Sequence, residues 1–232
     1  MTPADGDPLG GLLGDVDVDL DTDEELADRI GARPVRSSSV VFDGRIWDVV
    51  REEVDLGAAG TVTREFVAHP GAVGVLALDD AERVLVIQQY RHPVGAEVWE
   101  LPAGLLDVAG EDPAAAAARE LHEEADVVAR RYDVLVDLWS SPGGSGEAVR
   151  LYLGRDCAPA PEDGRHEREA EEADMPTRWV PLDELRDAIL AGRLHNSLLV
   201  AGVLAACAAR EGDWSSLRPA DAPWPEHRSQ RQ

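Results

Sequence analysis

Short apolar runs, each closed by turn residues, dominate the chain between Val40 and Gly154. Val40–Asp43 and Ile46–Glu53 flank Asp43-Gly44, a dipeptide suited to the left-handed backbone of a hairpin. Thr61–Ala68 follows, then Ala72–Leu78 and Arg83–Tyr90, separated by the turn Asp79-Asp80-Ala81-Glu82. Val98-Trp99-Glu100-Leu101 reads as a strand that Pro102 breaks and Gly104 turns, so that the backbone at Ala103 can approach a neighbouring helix. Asp133–Trp139 and Ala148–Gly154, joined by Ser141-Pro142-Gly143-Gly144-Ser145-Gly146, and a short run at Arg178–Val180 complete the strands. Helical patterns cover about 182–191 and 195–210, the second apolar almost all round, which implies burial. The sum is a mixed α/β sandwich with a sheet layer between helices and no internal repeat.

One more helix is defined by its caps. Asp112 is a good N-cap, Pro113 sits where its missing N–H costs nothing, and the alanines of 114–118 with Leu121 favour helix. Glu120 and Glu124 are four residues apart, so both leave one face and can converge on one ion. Arg119 and Glu123 share the neighbouring face at the same spacing, where an ion pair would hold Glu123 in place. Mg²⁺ takes one or two protein carboxylates and keeps the rest of its shell for water and phosphate. Glu120 with Glu124 fits that demand, and Glu123 is a third or supporting group. A Glu-rich helix is more often only a solvated face. The glycine and proline turn ahead of it is what shifts the reading toward a metal site.

Charge sharpens the picture and narrows the partners. The formal net charge is −24, and every basic side chain other than histidine is arginine. Such a chain repels nucleic acid at long range, so a phosphorylated substrate must be captured locally by metal and a few arginines. No apolar run is long enough to span a membrane and no signal-like segment opens the chain, which predicts no membrane partner. Cys157 and Cys207 stand far apart, arguing against a disulfide scaffold and for a cytoplasmic location. Much of the acidity lies in a leader over 1–38, expected to be mostly disordered with a short helix around 22–31. Residues 213–232 read as a loosely packed tail whose Trp214 and Trp224 lie against the body.

Gly104, Glu111, Arg119, Glu120, Leu121, Glu123, Glu124 and Val127 together resemble the signature of the Nudix hydrolases. Two departures stand out. The spacer from Gly104 to Glu111 is longer than usual, and Asp126 stands where the family has glycine at the helix end. Asp tolerates a left-handed cap better than most residues, so a modest stability cost and intact metal chemistry are expected. Gln88-Gln89-Tyr90-Arg91-His92-Pro93 before Glu100-Leu101-Pro102-Ala103-Gly104, then Ser141-Pro142-Gly143, are similar to the ADP-ribose pyrophosphatase branch. Leu105–Glu111 and Glu171–Met175 look particularly like its actinobacterial form.

The resemblance implies a Nudix-type α/β/α sandwich, with a small N-terminal antiparallel sheet over 39–68 and the main domain over 69–212. It also implies a homodimer in which neither chain alone has a complete substrate pocket and a second subunit can supply the adenine end. It implies hydrolysis of ADP-ribose to AMP and ribose 5-phosphate. Ala103, Glu120 and Glu124, with Asp174 adding a contact, would hold Mg²⁺ or Mn²⁺, which supplies charge neutralisation and an acidified water. Substrate contacts would come from Arg91, Leu105, Arg64 and Glu65, the last two beside Phe66 at the adenine end. For Arg91 the alternative is a salt bridge closing the strand end. Glu172, with Glu123 in support, is the expected catalytic base, and Glu171 and Glu147 are its rivals. His69, His122, His166 and His195 lack ligand spacing and read as surface or packing residues. Gly143-Gly144 reads as a flexible turn. Two other functions stay open: hydrolysis of another nucleoside diphosphate sugar or dinucleotide, and a non-catalytic ADP-ribose sensor. The intact glutamate set argues against the sensor, and the absence of a DNA-binding segment argues against a repressor.

Overall fold

The computed structural model describes residues 26–161 and 175–227. Residues 26–31 carry no regular element, so the described part of the expected short helix is not helical. Strand β1 (Val35–Phe42) then begins inside the segment expected to be leader. It pairs with β2 (Asp48–Asp55), which pairs with β3 (Thr61–Ala68), all antiparallel. The link through Asp43-Gly44 extends to Trp47 instead of closing as a two-residue turn. Gly44 N–H donates to Asp48 Oδ1 at 3.1 Å, and a Cβ on Gly44 would collide with the Trp47 carbonyl.

The most apolar strand lies in the interior of the largest sheet. β4 (Ala72–Ala77) is buried at every position, as a strand covered on both faces must be. After it come β5 (Arg83–Arg91), β6 (Ala96–Glu100), β7 (Ala103–Leu105), helix α1 (Pro113–Ala125), β8 (Val127–Trp139) and β9 (Ala148–Pro159). β10 (Thr177–Pro181), α2 (Leu182–Leu190), α3 (Ser197–Glu211) and β11 (Arg218–Pro219) complete the chain. β4 runs parallel to β9 and antiparallel to β7, in a mixed sheet of order β11-β8-β9-β4-β7. A separate antiparallel sheet has the order β10-β5-β6. The expected sheet layer is therefore two sheets, with alternate residues of β4 and β5 facing opposite ways. Leu76, Val84 and Val86 join the core under α2 and α3, whereas Val75, Leu85 and Ala117 join the core under α1. The mixed α/β sandwich is as expected.

Two helices show why the sequence folds as it does. The Asp112 carboxylate caps α1 by accepting from Ala114 and Ala115 N–H, and Ala116 and Ala117 are fully buried against the sheet. The helix ends on Asp126 in the left-handed region (φ 51°), its N–H bonded to the His122 carbonyl. A residue with a Cβ is strained there, so Asp126→Gly is expected to stabilise the domain by about 0.5–1 kcal/mol, read as a higher urea midpoint. An unchanged or lower midpoint would count against that account. In α3 the Asn196 side chain caps Leu199 N–H, and Gly202 lets Leu101 and Leu151 press against the helix.

The described part of the tail, residues 213–227, is not loose. Trp224 is buried, β11 pairs with β8, and Ala222 and Pro223 present their carbonyls to Arg150. The expectation that Trp214 and Trp224 pack on the body holds; both border the core or the buried Arg150. The glycine loop between β8 and β9 is also fixed. Val67 N–H donates to Gly144 O, and Gly146 N–H donates back to Val67 O, each at 2.9 Å.

Candidate functional site

Helix α1 lies against the strand that precedes it in the chain, and this contact builds the site. Glu124 is buried and its Oε2 accepts the Ala103 N–H at 2.9 Å. The Glu120 carboxylate fills the space over the Gly104 Cα, where any Cβ would overlap it. Gly104 is therefore not a turn residue, as expected from the sequence, but a strand residue whose missing side chain admits a carboxylate. Gly104→Ala is expected to displace Glu120 and lower kcat about 100-fold, while thermal unfolding barely moves, because a flexible side-chain end can yield without cost to the core. Activity within twofold of the parent would remove this role from Gly104.

Arg119 organises the remaining carboxylates. Its Nε and Nη2 donate to both oxygens of Glu111, each at 3.0 Å, and its Nη1 donates to Glu120 at 2.7 Å and to Glu123 at 3.0 Å. The expected Arg119–Glu123 pair is thus one arm of a larger clip. The hydrogen bonds it donates to Glu111, with the charge of Glu120 and the hydrogen bonds to Glu123 and Glu120, push the Arg119 pKa up against its partial burial. In return Arg119 holds the Glu111 carboxyl below the usual range. The long spacer closes through Gly110 (φ 79°), which delivers Glu111 to this clip.

The donors around Ala103 are all hard oxygens, which suits Mg²⁺ or a similar cation. Among the described residues no three His, Cys, Asp or Glu side chains already converge as an ion cage. Arg119 supplies the positive charge between Glu120 and Glu123 instead. Glu120 and Glu124, with the Ala103 carbonyl, remain the residues that could hold a cation beside this strand.

The other expected residues fall in different places. Arg91 makes a bidentate pair with the buried Glu100 at 2.9 and 2.7 Å, so the salt bridge considered for it is formed. Its side chain is still 48% exposed and borders a groove of about 1130 Å³. Trp47, Tyr90, Trp99, Arg193 and His195 line the same groove. Leu105 pairs with Ala72 at the end of β7. Arg64 and Glu65 lie on the exposed N-terminal sheet, Glu65 bonded across the strands to Arg51 at 2.7 Å and Arg64 in register with Glu52. Neither lines that groove. Glu171, Glu172, Asp174 and His166 lie outside the described residues.

His69 borders a second cavity, and Glu147 lies beside it. The His69 ring is nearly buried; its Nδ1 accepts the Gly71 N–H, and Nε2 faces Glu147 Oε1 at 3.4 Å. Burial lowers the His69 pKa and outweighs the opposing pull of Glu147. Glu147 also accepts the Ser140 hydroxyl, so it is anchored next to His69. The cavity, about 490 Å³, is bordered by Trp47, His69, Pro70, Leu106 and Asp107, and Trp47 also borders the larger groove. Trp47, Trp99 and Glu100 are the site features that sequence reasoning left without a role. The only hint for Trp47 was an aromatic residue beside a hairpin turn.

The NUDIX domain model matches residues 68–199. The chain belongs to the Nudix family. It is 46% identical to an ADP-ribose pyrophosphatase of Mycobacterium tuberculosis over 188 residues, which is 81% of this chain and 89% of that protein. It is 35% identical to a CMP-5'-(N-acetyl-N-hydroxy-3-aminopropyl)phosphonate hydrolase of Streptomyces rubellomurinus, over 73% of this chain and 80% of that one. Among solved structures an ADP compounds hydrolase superposes with a TM-score of 0.66 and 16% identity, covering 81% of this chain and 98% of its own, which shows the shared Nudix fold. The protein is thus a Nudix hydrolase, of a group of enzymes that generally use divalent metals. Among the described residues no helix is long and apolar enough to cross a membrane.

Proposed function

We propose that this Nudix hydrolase cleaves the diphosphate of ADP-ribose with Mg²⁺ or Mn²⁺, giving AMP and ribose 5-phosphate. The observation that carries the reading is the placement of Glu120 and Glu124 on the Ala103-Gly104 strand, in a chain 46% identical to an ADP-ribose pyrophosphatase. Ala103, Glu120 and Glu124 hold the cation, which supplies charge neutralisation and an acidified water. Arg119 orients Glu120 and Glu123 through its hydrogen bonds to both. Glu172 is the general base of this reading, and Asp174 an additional metal ligand. Arg91, fixed by Glu100, is directed at phosphate oxygens. The half-exposed Trp47 ring, shared by groove and cavity, is a better adenine platform than Arg64 and Glu65.

The N-terminal sheet supports a homodimer. β1 is exposed along its length and presents Val40, Val41 and Phe42 to solvent, more apolar surface than a free three-stranded sheet carries well. A single monomeric species in sedimentation would reject the dimer. The two free thiols, Cys157 and Cys207, support a cytoplasmic location.

The Streptomyces relative favours one alternative, a different nucleotide conjugate cleaved by the same chemistry. Incubating the pure protein with Mg²⁺ and a panel of nucleotide sugars and dinucleotides separates the readings. ADP-ribose is expected to be the best substrate, with AMP as the released nucleotide. Preference for another conjugate selects the alternative, and no turnover of any would reject both.

A further inference from the structure

Residues 218–227 form a strap laid on the wall of the catalytic domain. Its first anchor is β11 against β8, with Arg218 opposite Val134. Its second is the pair of carbonyls on Ala222 and Pro223, which accept from Arg150 at 2.7 and 3.1 Å. The Trp224 ring lies under the Arg150 guanidinium at 4.8 Å, and the Trp139 indole N–H donates to Glu226 O at 3.4 Å. His227 then stacks on Trp224, with ring centroids 4.8 Å apart, and its Nε2 lies 2.7 Å from the Pro70 carbonyl. A carbonyl only accepts, so Nε2 carries the hydrogen in this bond.

Gly71 shows how closely the imidazole is seated. It has φ 96°, and a Cβ on it would overlap the His227 ring. From Gly71 the contact passes in two directions. Its N–H holds the His69 ring at 3.1 Å, and its carbonyl accepts the Leu106 N–H at 3.1 Å. Leu106 directly follows β7, the strand that carries Ala103 and Gly104. His69, Pro70 and Leu106 all border the cavity beside that strand.

We infer that His227 is a positioning residue: it clamps Pro70-Gly71 and so sets the cavity wall and the far end of β7 for substrate. This rests on the ADP-ribose hydrolase reading only for the choice of substrate. The effect belongs mainly in KM, because the carboxylates at Ala103 are held by α1 and not by the strap.

The test compares full-length His227→Ala with His227→Gln, whose side-chain amide can still donate to Pro70. His227→Ala is expected to raise KM for ADP-ribose about 5-fold with kcat within twofold. It should also speed amide hydrogen exchange at Leu106 about 10-fold while Val75, in β4, exchanges as before. His227→Gln is expected to restore both. Unchanged exchange at Leu106, exchange accelerated equally at Val75, an unchanged KM, or no rescue by Gln would each overturn the positioning role. If the parent protein cleaves no ADP-ribose, the hydrolase reading fails, and the exchange pattern with KM for whichever conjugate is turned over decides the role of His227.

Discussion

Glu124→Gln is expected to lower kcat on the order of 1,000-fold, about 4 kcal/mol of barrier, with no loss of fold. Glu124 does two jobs that this substitution separates. Its Oε2 accepts the Ala103 N–H and ties α1 to β7. A Gln oxygen can accept that same bond, so the helix stays seated on the strand and the buried position keeps its volume. What is lost is the negative charge beside the Ala103 carbonyl and Glu120, which is what a divalent cation requires. Steady-state kinetics with Mg²⁺ and a thermal melt on the same sample check both halves. A variant retaining more than a tenth of parental kcat would remove Glu124 from the metal site. A melt lowered by many degrees would make the kinetic loss uninformative.

The second large effect is structural and lies away from the carboxylates. Arg150 is 2% exposed and makes a bidentate pair with Asp137 at 2.7 and 2.9 Å, while two strap carbonyls and the Trp224 ring complete its surroundings. Removing one partner of a buried pair leaves the other charge poorly compensated, at a cost of roughly 3–5 kcal/mol. Arg150→Met keeps much of the volume and removes the charge, leaving Asp137 with Arg218 at 2.7 Å on its more exposed side. At a few degrees per kcal/mol for a chain of this size, Tm should fall by roughly 10 °C. Differential scanning calorimetry checks this. The double variant Arg150→Met with Asp137→Leu should recover part of the loss, since no buried charge is then stranded. A Tm shift below about 3 °C for the single variant would show that the strap does not depend on Arg150.

Local patterns carried much of the fold because their causes are local. Asp112, Pro113 and the alanines form α1 through capping and propensity alone, and the i,i+4 spacing of Glu120 and Glu124 follows from helix geometry. The apolar runs of β3, β4 and β5 end where turn residues stop them, which is why the pattern alone marks both ends of Thr61–Ala68. Boundaries failed where pairing overrides propensity. Ser37, Ser38 and Ser39 look like linker, yet they sit in β1 because Glu53, Glu52 and Arg51 of β2 face them. β8 and β9 outrun their apolar centres because each supplies the other's backbone partners.

The family, the α/β class, the helix and its carboxylates were all present in residue order and spacing. The meaning of individual residues was settled by contacts between segments far apart in the chain. Gly104 became a seat for Glu120, Arg91 a partner of Glu100, and Trp47 a wall shared by two cavities only when the sheets and α1 were assembled. The proline-rich tail became a strap because Arg150 reaches Ala222 and Pro223, and His227 reaches Pro70. Periodicity records which face of its own element a residue takes. It carries no record of which distant backbone that face will meet, and in this protein those meetings shape the site.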